Sequence, residues 1–209
     1  MSGDRWRRFY RERNYDRCIY REGEAMIEYL ATFFERVGVP ETILSVGCGP
    51  AVLEFELADR FPATEFTCVD VAEQVIEDDR ELTSERGIEN VAFTVDSLPD
   101  LDLGRQFDLV YCMATLYFVR KVEHALETLY RHVSPDGYLV ADYPSETLRK
   151  WVGEQDEQKR AFFDLVSEGV NVRTPEEIAA VFEEPVEDYG EAVDASDALG
   201  EAIYVQKQP

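Results

Sequence analysis

An apolar strand that runs into a two-glycine turn and then into a helix leaves a chain few folds to choose from. Residues 42–58, TILSVGCGPAVLEFELA, have this form. Ile43, Leu44 and Val46 make the apolar run. Gly47 and Gly49 give the backbone room to turn sharply or to let a ligand come close. From Val52 onward apolar residues recur three and four apart, the period of a helix. A helix entered in this way presents free N–H groups and the positive end of its dipole to whatever lies at the turn. The unit is a cradle for a nucleotide or a small metabolite.

The rest of the chain repeats the alternation. Met26, Ile27, Leu30, Phe33, Phe34 and Val37 predict helix within 5–37, with Asn14, Tyr15 and Asp16 as a break and Gly38 and Pro40 as the stop. FTCVD (66–70), VAFTVD (91–96), FDLVYCM (107–113) and YLVADY (138–143) read as strands. Helices are expected over 52–60, 73–86 and 121–133, and Ser134 to Gly137 reads as a turn. Strands separated by helices of this length form a parallel sheet with helices on both faces. After Tyr143 the pattern changes. Residues 145–167 predict one amphipathic helix. Thr174-Pro175-Glu176-Glu177 is a capping box. Strand-like pieces near 185–193 and 202–206 suggest a hairpin that adds an antiparallel edge.

The fold expected is therefore α/β, a doubly wound, mostly parallel seven-stranded sheet with an antiparallel C-terminal hairpin. It forms a single domain over 1–209: a helical cap (1–38), a ligand-binding core (42–143), a lid (145–170), and a C-terminal helix and hairpin (174–208).

Charge narrows the partners. Asp and Glu number 44 against 21 Lys and Arg, a formal net of −23. Such a field repels nucleic acid and anionic membranes. An acid-rich, lysine-poor surface also resembles proteins of salt-loving archaea, where molar salt screens the self-repulsion. Seven arginines (Arg5, Arg7, Arg8, Arg11, Arg13, Arg17, Arg21) crowd the first 21 residues. They either pair with the acidic body or face an anionic ligand. No apolar run is long enough to span a bilayer, and the charged start lacks the apolar core of a secretory signal. Cys18, Cys48, Cys68 and Cys112 form no Cys-x-x-Cys pair. They are expected reduced, without a metal, in the cytoplasm.

Function gathers at the strand ends. Asp70 lies 21 residues after Gly49, the spacing at which a carboxylate meets a ribose diol. It can accept two hydroxyl hydrogen bonds at once. Asp96 and Ser97 end the third strand. Asp70 could instead cap a helix, and Asp96 could be a turn residue. Taken in order, the segments resemble the class I S-adenosylmethionine-dependent methyltransferases. VGCGPA looks like their first motif, FTCVD their second, VAFTVDS their third, FDLVYCMATLYF their fourth, and SPDGYLVADY their later turn and fifth strand.

The resemblance implies S-adenosylmethionine as cofactor. Gly47, Cys48 and Gly49 would lie against its methionine part, Asp70 with Val71 at the ribose, and Asp96 with Ser97 at the adenine. Cys112 and Met113 would line the sulfonium region, and Tyr15 would reach in from the cap. Two departures stand out. Ser45 replaces an acid common in the family, and Ala51 replaces a third glycine. Transfer needs little beyond in-line positioning. If a base is needed, Tyr117, Asp142 and Tyr143 are the weak candidates. His124 and His132 share one helix and are expected to be structural. No Asp/Asn-Pro-Pro-Tyr/Phe run of the amino-modifying nucleic-acid enzymes follows the fourth strand. Tyr111, Tyr117, Phe118, Tyr143 and Trp151 could instead wall a pocket for a small-molecule acceptor. Two alternatives compete: a cofactor-binding protein without transfer, and a nicotinamide-dependent oxidoreductase. The second is disfavoured because the turn lacks a full G-x-G-x-x-G.

Overall fold

The computed structural model describes residues 2–12 and 15–209. Arg13 and Asn14, part of the expected arginine cluster and helix break, lie outside them. The first helical stretch is two helices, α1 (Ser2–Arg11) and α2 (Ala25–Val37), the second closed by Gly38. Then come β1 (Thr42–Val46), α3 (Val52–Arg60), β2 (Glu65–Asp70), α4 (Glu73–Arg86), β3 (Val91–Val95), β4 (Phe107–Cys112), a 3-10 turn (Leu116–Phe118), α5 (Val122–Arg131) and β5 (Val133–Asp142).

The seven strands order as β3-β2-β1-β4-β5-β7-β6, with β6 at Val186–Asp188 and β7 at Ala202–Gln206. Pairings from β3 through β5 are parallel, and β7 is antiparallel to both β5 and β6. Strand order reverses between β1 and β4, which opens a crevice at their C-terminal ends. Successive residues of the central strands enter opposite layers. Ile43, Leu109 and Tyr111 pack with α2, α3 and α4, whereas Leu44, Val46, Val110 and Cys112 pack with α5. Burial on both faces is why these strands read as nearly continuous apolar runs.

Three expectations need correction. The turn at 134–137 is a bulge inside β5: Phe107 pairs with Val133 and Leu109 with Tyr138, so four residues of β5 loop out. The single helix at 145–167 is three short ones, α6 (Glu146–Gly153), α7 (Glu157–Phe162) and α8 (Asp164–Ser167). Ser145 caps the first of the three; the first break comes where Asp156 caps a new helix by accepting a backbone N–H through its side chain, and the second at Phe163. The antiparallel C-terminal pair is present as expected, but the piece near 185–193 is strand only over Val186–Asp188, and α10 (Tyr189–Ala192) and α11 (Ser196–Leu199) lie between the two strands, after α9 (Pro175–Ala179). Both capping-box hydrogen bonds of Thr174 and Glu177 are present at the start of α9.

Candidate active site

A cavity of about 350 Å³ opens over the C-terminal ends of β1, β2, β3 and β4. Gly47 and Gly49 hold positive φ angles of 78° and 53° in the turn after β1. The turn is tied to the next strand, because the N–H groups of Gly47 and Cys48 both donate to Val69 O. A side chain at Gly47 would put Cβ 2.0 Å from Thr115 Oγ1, and one at Gly49 would meet the Tyr10 hydroxyl at 2.9 Å. The glycines thus make room for protein side chains from the β4–α5 connection and from α1. Ala51 takes the left-handed conformation that favours glycine, at φ 51° and ψ 30°.

Asp70 ends β2 at the cavity wall. Its Oδ2 accepts the Gly49 N–H at 3.1 Å and its Oδ1 the Ala72 N–H at 2.9 Å. Burial pushes its carboxyl up to about 6, against the pull of those backbone donors. The Val71 N–H also acts on this carboxylate, and part of its acceptor capacity is left for a ligand. Asp96, Ser97 and Leu98 follow β3 onto the same wall. Asp96 accepts the N–H of Ser97 at 2.7 Å.

Gly47, Cys48, Gly49, Asp70, Val71, Asp96, Ser97 and Met113 all line this cavity. Two predicted residues do not. Cys112 points into the layer of α5, because strand alternation sends it away from the side of Tyr111, and burial raises its thiol. Tyr15 packs edge-on against Tyr10 at 4.8 Å and donates to Asp78 at 2.7 Å. Tyr10 occupies the wall instead. The spacing of Trp6, Phe9 and Tyr10 in α1 carried that signal.

A second cavity, a groove of about 1020 Å³, adjoins the first. Trp6, Tyr20, Arg21, Ala114 and Phe118 wall both. Tyr117, Tyr143, Leu148, Trp151, Phe162 and Phe163 complete its apolar side. The short helices α6 and α7 form its outer rim, the place expected for a lid. Phe118 ties the parts together, with ring centroids 5.1 Å from Trp6, 5.4 Å from Phe162 and 5.3 Å from Phe163.

At the junction lies a buried polar network. Asp142 accepts the Ala114 N–H at 2.8 Å and the Tyr117 hydroxyl at 2.5 Å, and pairs with Arg21 at 3.1 Å. Arg21 also donates to the Tyr117 hydroxyl and to Leu199 O. Burial raises the Asp142 carboxyl while Arg21 opposes the rise, and burial lifts Tyr143 to about 12. Asn171, which sequence reasoning missed, fixes the Tyr117 turn: its Nδ2 donates to the carbonyls of Leu116, Tyr117 and Val119 at 3.0–3.2 Å.

The N-terminal arginines mostly pair with the body. Arg5 bonds Asp164, Arg7 bonds Asp4 and Val71 O, and Arg17 bonds Asp79 and Pro50 O. His132 is structural, with Nδ1 donating to Thr128 O at 2.8 Å and Nε2 accepting the Leu103 N–H at 3.2 Å. Among the described residues no His, Cys, Asp and Glu group could hold a metal, and no helix is long and apolar enough to cross a membrane.

The strand order, the glycine turn and the acid that ends β2 define a Rossmann-like α/β fold. Residues 40–185 match the methyltransferase domain family, and the chain belongs to it. It is 30% identical over 98 residues to malonyl-[acyl-carrier protein] O-methyltransferase of Bacillus cereus, covering 47% of this chain and 35% of the relative. The Priestia megaterium enzyme of the same name is 25% identical over 162 residues, 76% of this chain and 57% of that one. The chain thus spans from about a third to just over half of the length of these curated relatives. Among solved structures, the plantazolicin methyltransferase BpumL, in complex with a triazolic desmethylPZN analog and SAH, superposes with a TM-score of 0.64. That match has 12% identity and covers 98% of this chain and 91% of that one. The N-methyltransferase NodS of Bradyrhizobium japonicum WM9, in complex with S-adenosyl-L-homocysteine, gives 0.57 at 16% identity over 89% and 86% of the two chains. At such identities the likeness is one of fold.

Proposed function

We propose that this chain transfers a methyl group from S-adenosylmethionine to a small, largely apolar acceptor. The observation that carries the reading is Asp70, a buried carboxylate fixed by the Gly49 and Ala72 N–H groups with acceptor capacity left at the cavity wall. The cofactor fits the residues present. Asp70 is placed to take a ribose diol, and Asp96 and Ser97 an adenine edge. The start of α3, where no side chain caps the free N–H groups, would take a carboxylate. When bound, the cofactor would supply a methyl group already activated by its sulfonium.

The protein's remaining work is to seat the acceptor and exclude water. The aromatic groove suits an apolar acceptor and adjoins the first cavity at Arg21, Ala114 and Phe118. Asp142 has three partners, which favours a positioning role over that of a free base. It orients the Tyr117 hydroxyl on the groove wall, where an acceptor's polar atom would meet it. The net charge of −23 favours such a ligand over nucleic acid and suits a concentrated-salt cytoplasm of the archaeal kind.

Calorimetry in molar KCl with S-adenosylhomocysteine and, separately, NADH tests the reading. Binding of the first and not the second is expected. NADH binding without S-adenosylhomocysteine binding would overturn it. Transfer of labelled methyl into an extracted small molecule would then separate an enzyme from a protein that only binds the cofactor.

A further inference from the structure

We infer that Glu54, not a residue of β1, supplies the carboxylate that receives a ligand's ammonium group in the first cavity. The inference rests on the methyl-transfer reading and sharpens the site's selectivity for the amino-acid end of the cofactor. Ser45 stands on β1 two residues before Gly47. Its hydroxyl donates to Glu54 Oε1 at 2.5 Å. Both residues line the cavity, and both are almost wholly buried, at 3% and 4% exposure. Ser45 therefore acts as the anchor for a carboxylate that arrives from the first turn of α3. The carboxylate on this part of the wall comes from the helix, and the strand holds it.

The surroundings call for a cation. The groups around Glu54 are Asp70 and Cys68 from β2, Cys48 from the turn, Asp79 from α4 and Tyr111 from β4. All are acids or stay neutral. The nearby cations are engaged: Arg17 by Asp79 and Pro50 O, and Arg21 by Asp142. Burial, with the Asp70 charge adding to it, lifts the Glu54 carboxyl to about 7. A carboxyl at about 7 is only partly ionised at neutral pH, and a cation beside it draws it to the carboxylate. The Tyr111 hydroxyl, also on the wall, is buried and has no hydrogen-bond partner among the described residues. The site is thus incomplete on its polar side as well.

The test compares S-adenosylhomocysteine with 5′-methylthioadenosine, which keeps the adenosine and lacks the amino-acid end. Wild type and Glu54→Gln are titrated with each by calorimetry. Gln still accepts the Ser45 hydrogen bond, so the fold should hold. The expected result is a loss of about tenfold or more for S-adenosylhomocysteine and a change within about twofold for methylthioadenosine. Equal affinity of both proteins for S-adenosylhomocysteine would overturn the inference and leave the cofactor reading standing. Failure of wild type to bind either ligand would overturn the cofactor reading itself.

A second measurement needs no variant. Titrations of wild type at pH 7 in buffers of different ionisation enthalpy count the protons released. S-adenosylhomocysteine should release more than methylthioadenosine, because it alone drives Glu54 to ionise. An equal count would refute the role of Glu54, even if Glu54→Gln lost both ligands through misfolding.

Discussion

Asp70 and Gly49 are joined by a hydrogen bond of 3.1 Å from the glycine N–H to Asp70 Oδ2, so the carboxylate and the turn form one rigid unit. The unit explains why a residue 21 positions further on matters to the turn. It also makes Asp70 sensitive to change. Asp70→Ala should weaken S-adenosylhomocysteine binding by about 1.5–3 kcal/mol through lost charge-assisted hydrogen bonds. Titration calorimetry measures the loss, and a melting curve confirms that the variant folds. Unchanged affinity would mean that the ribose lies elsewhere.

Three buried carboxyls give the free protein an unusual pH profile. Glu54 and Asp79 are lifted to about 7 and Asp70 to about 6, each chiefly by burial. A raised folded-state value means that the native protein binds more protons than the unfolded chain between about pH 4 and 7. Stability of the free protein should therefore fall as pH rises through that window, then level off. Melting at fixed salt from pH 5 to 8 checks this. Glu54→Gln should flatten the slope, since it removes one of the groups. A melting temperature that rises steadily from pH 5 to 7 would contradict the assignment.

Much of this was legible from the residues alone. The sheet and the acids at its strand ends follow from local patterns: apolar runs, glycine turns, and helix periods. What escaped depends on contacts between distant segments. Nothing local links Ser45 to Glu54, so the residues show a serine on β1 and not the carboxylate it holds. Nothing local sends Cys112 away from the cavity except the phase of β4, which only pairing fixes. Tyr10 displaced Tyr15 because α1 lies across the glycine turn, a matter of packing. The helix at 145–167 broke first where Asp156 caps a new start, a signal present in the sequence but masked by the apolar spacing around it, and again at Phe163, where no side chain caps the next helix.

Asn171 offers a stability test away from the cofactor cavity. It is fully buried, and its amide nitrogen serves the carbonyls of Leu116, Tyr117 and Val119. Asn171→Ala would take the buried side-chain donor away from all three carbonyls, of which Leu116 O would keep the backbone N–H of Val119. The expected cost is about 1–3 kcal/mol, read from chemical denaturation. Asn171→Asp should cost more, because a carboxylate would face three carbonyl oxygens. If Asn171→Asp proved as stable as wild type, the amide would not be what fixes the Tyr117 turn.

Salt should act on the whole molecule, and two effects compete. A net charge of −23 repels itself, and added salt screens that repulsion. Salt also weakens attractive surface pairs such as Arg60 with Glu28 at 2.7 Å. Such exposed pairs contribute little, about 0–1 kcal/mol each. Acids outnumber bases by more than two to one, so repulsion outweighs attraction. The melting temperature should climb with KCl. Most of the gain should come below about 1 M, where the Debye length shrinks from about 10 Å at 0.1 M to about 3 Å. An uncharged osmolyte at equal osmolality separates screening from solvent exclusion. A melting temperature that fell between 0.1 and 1 M KCl, on the order of those same ionic strengths, would show that the attractive pairs dominate and that the acidic surface is no adaptation to salt.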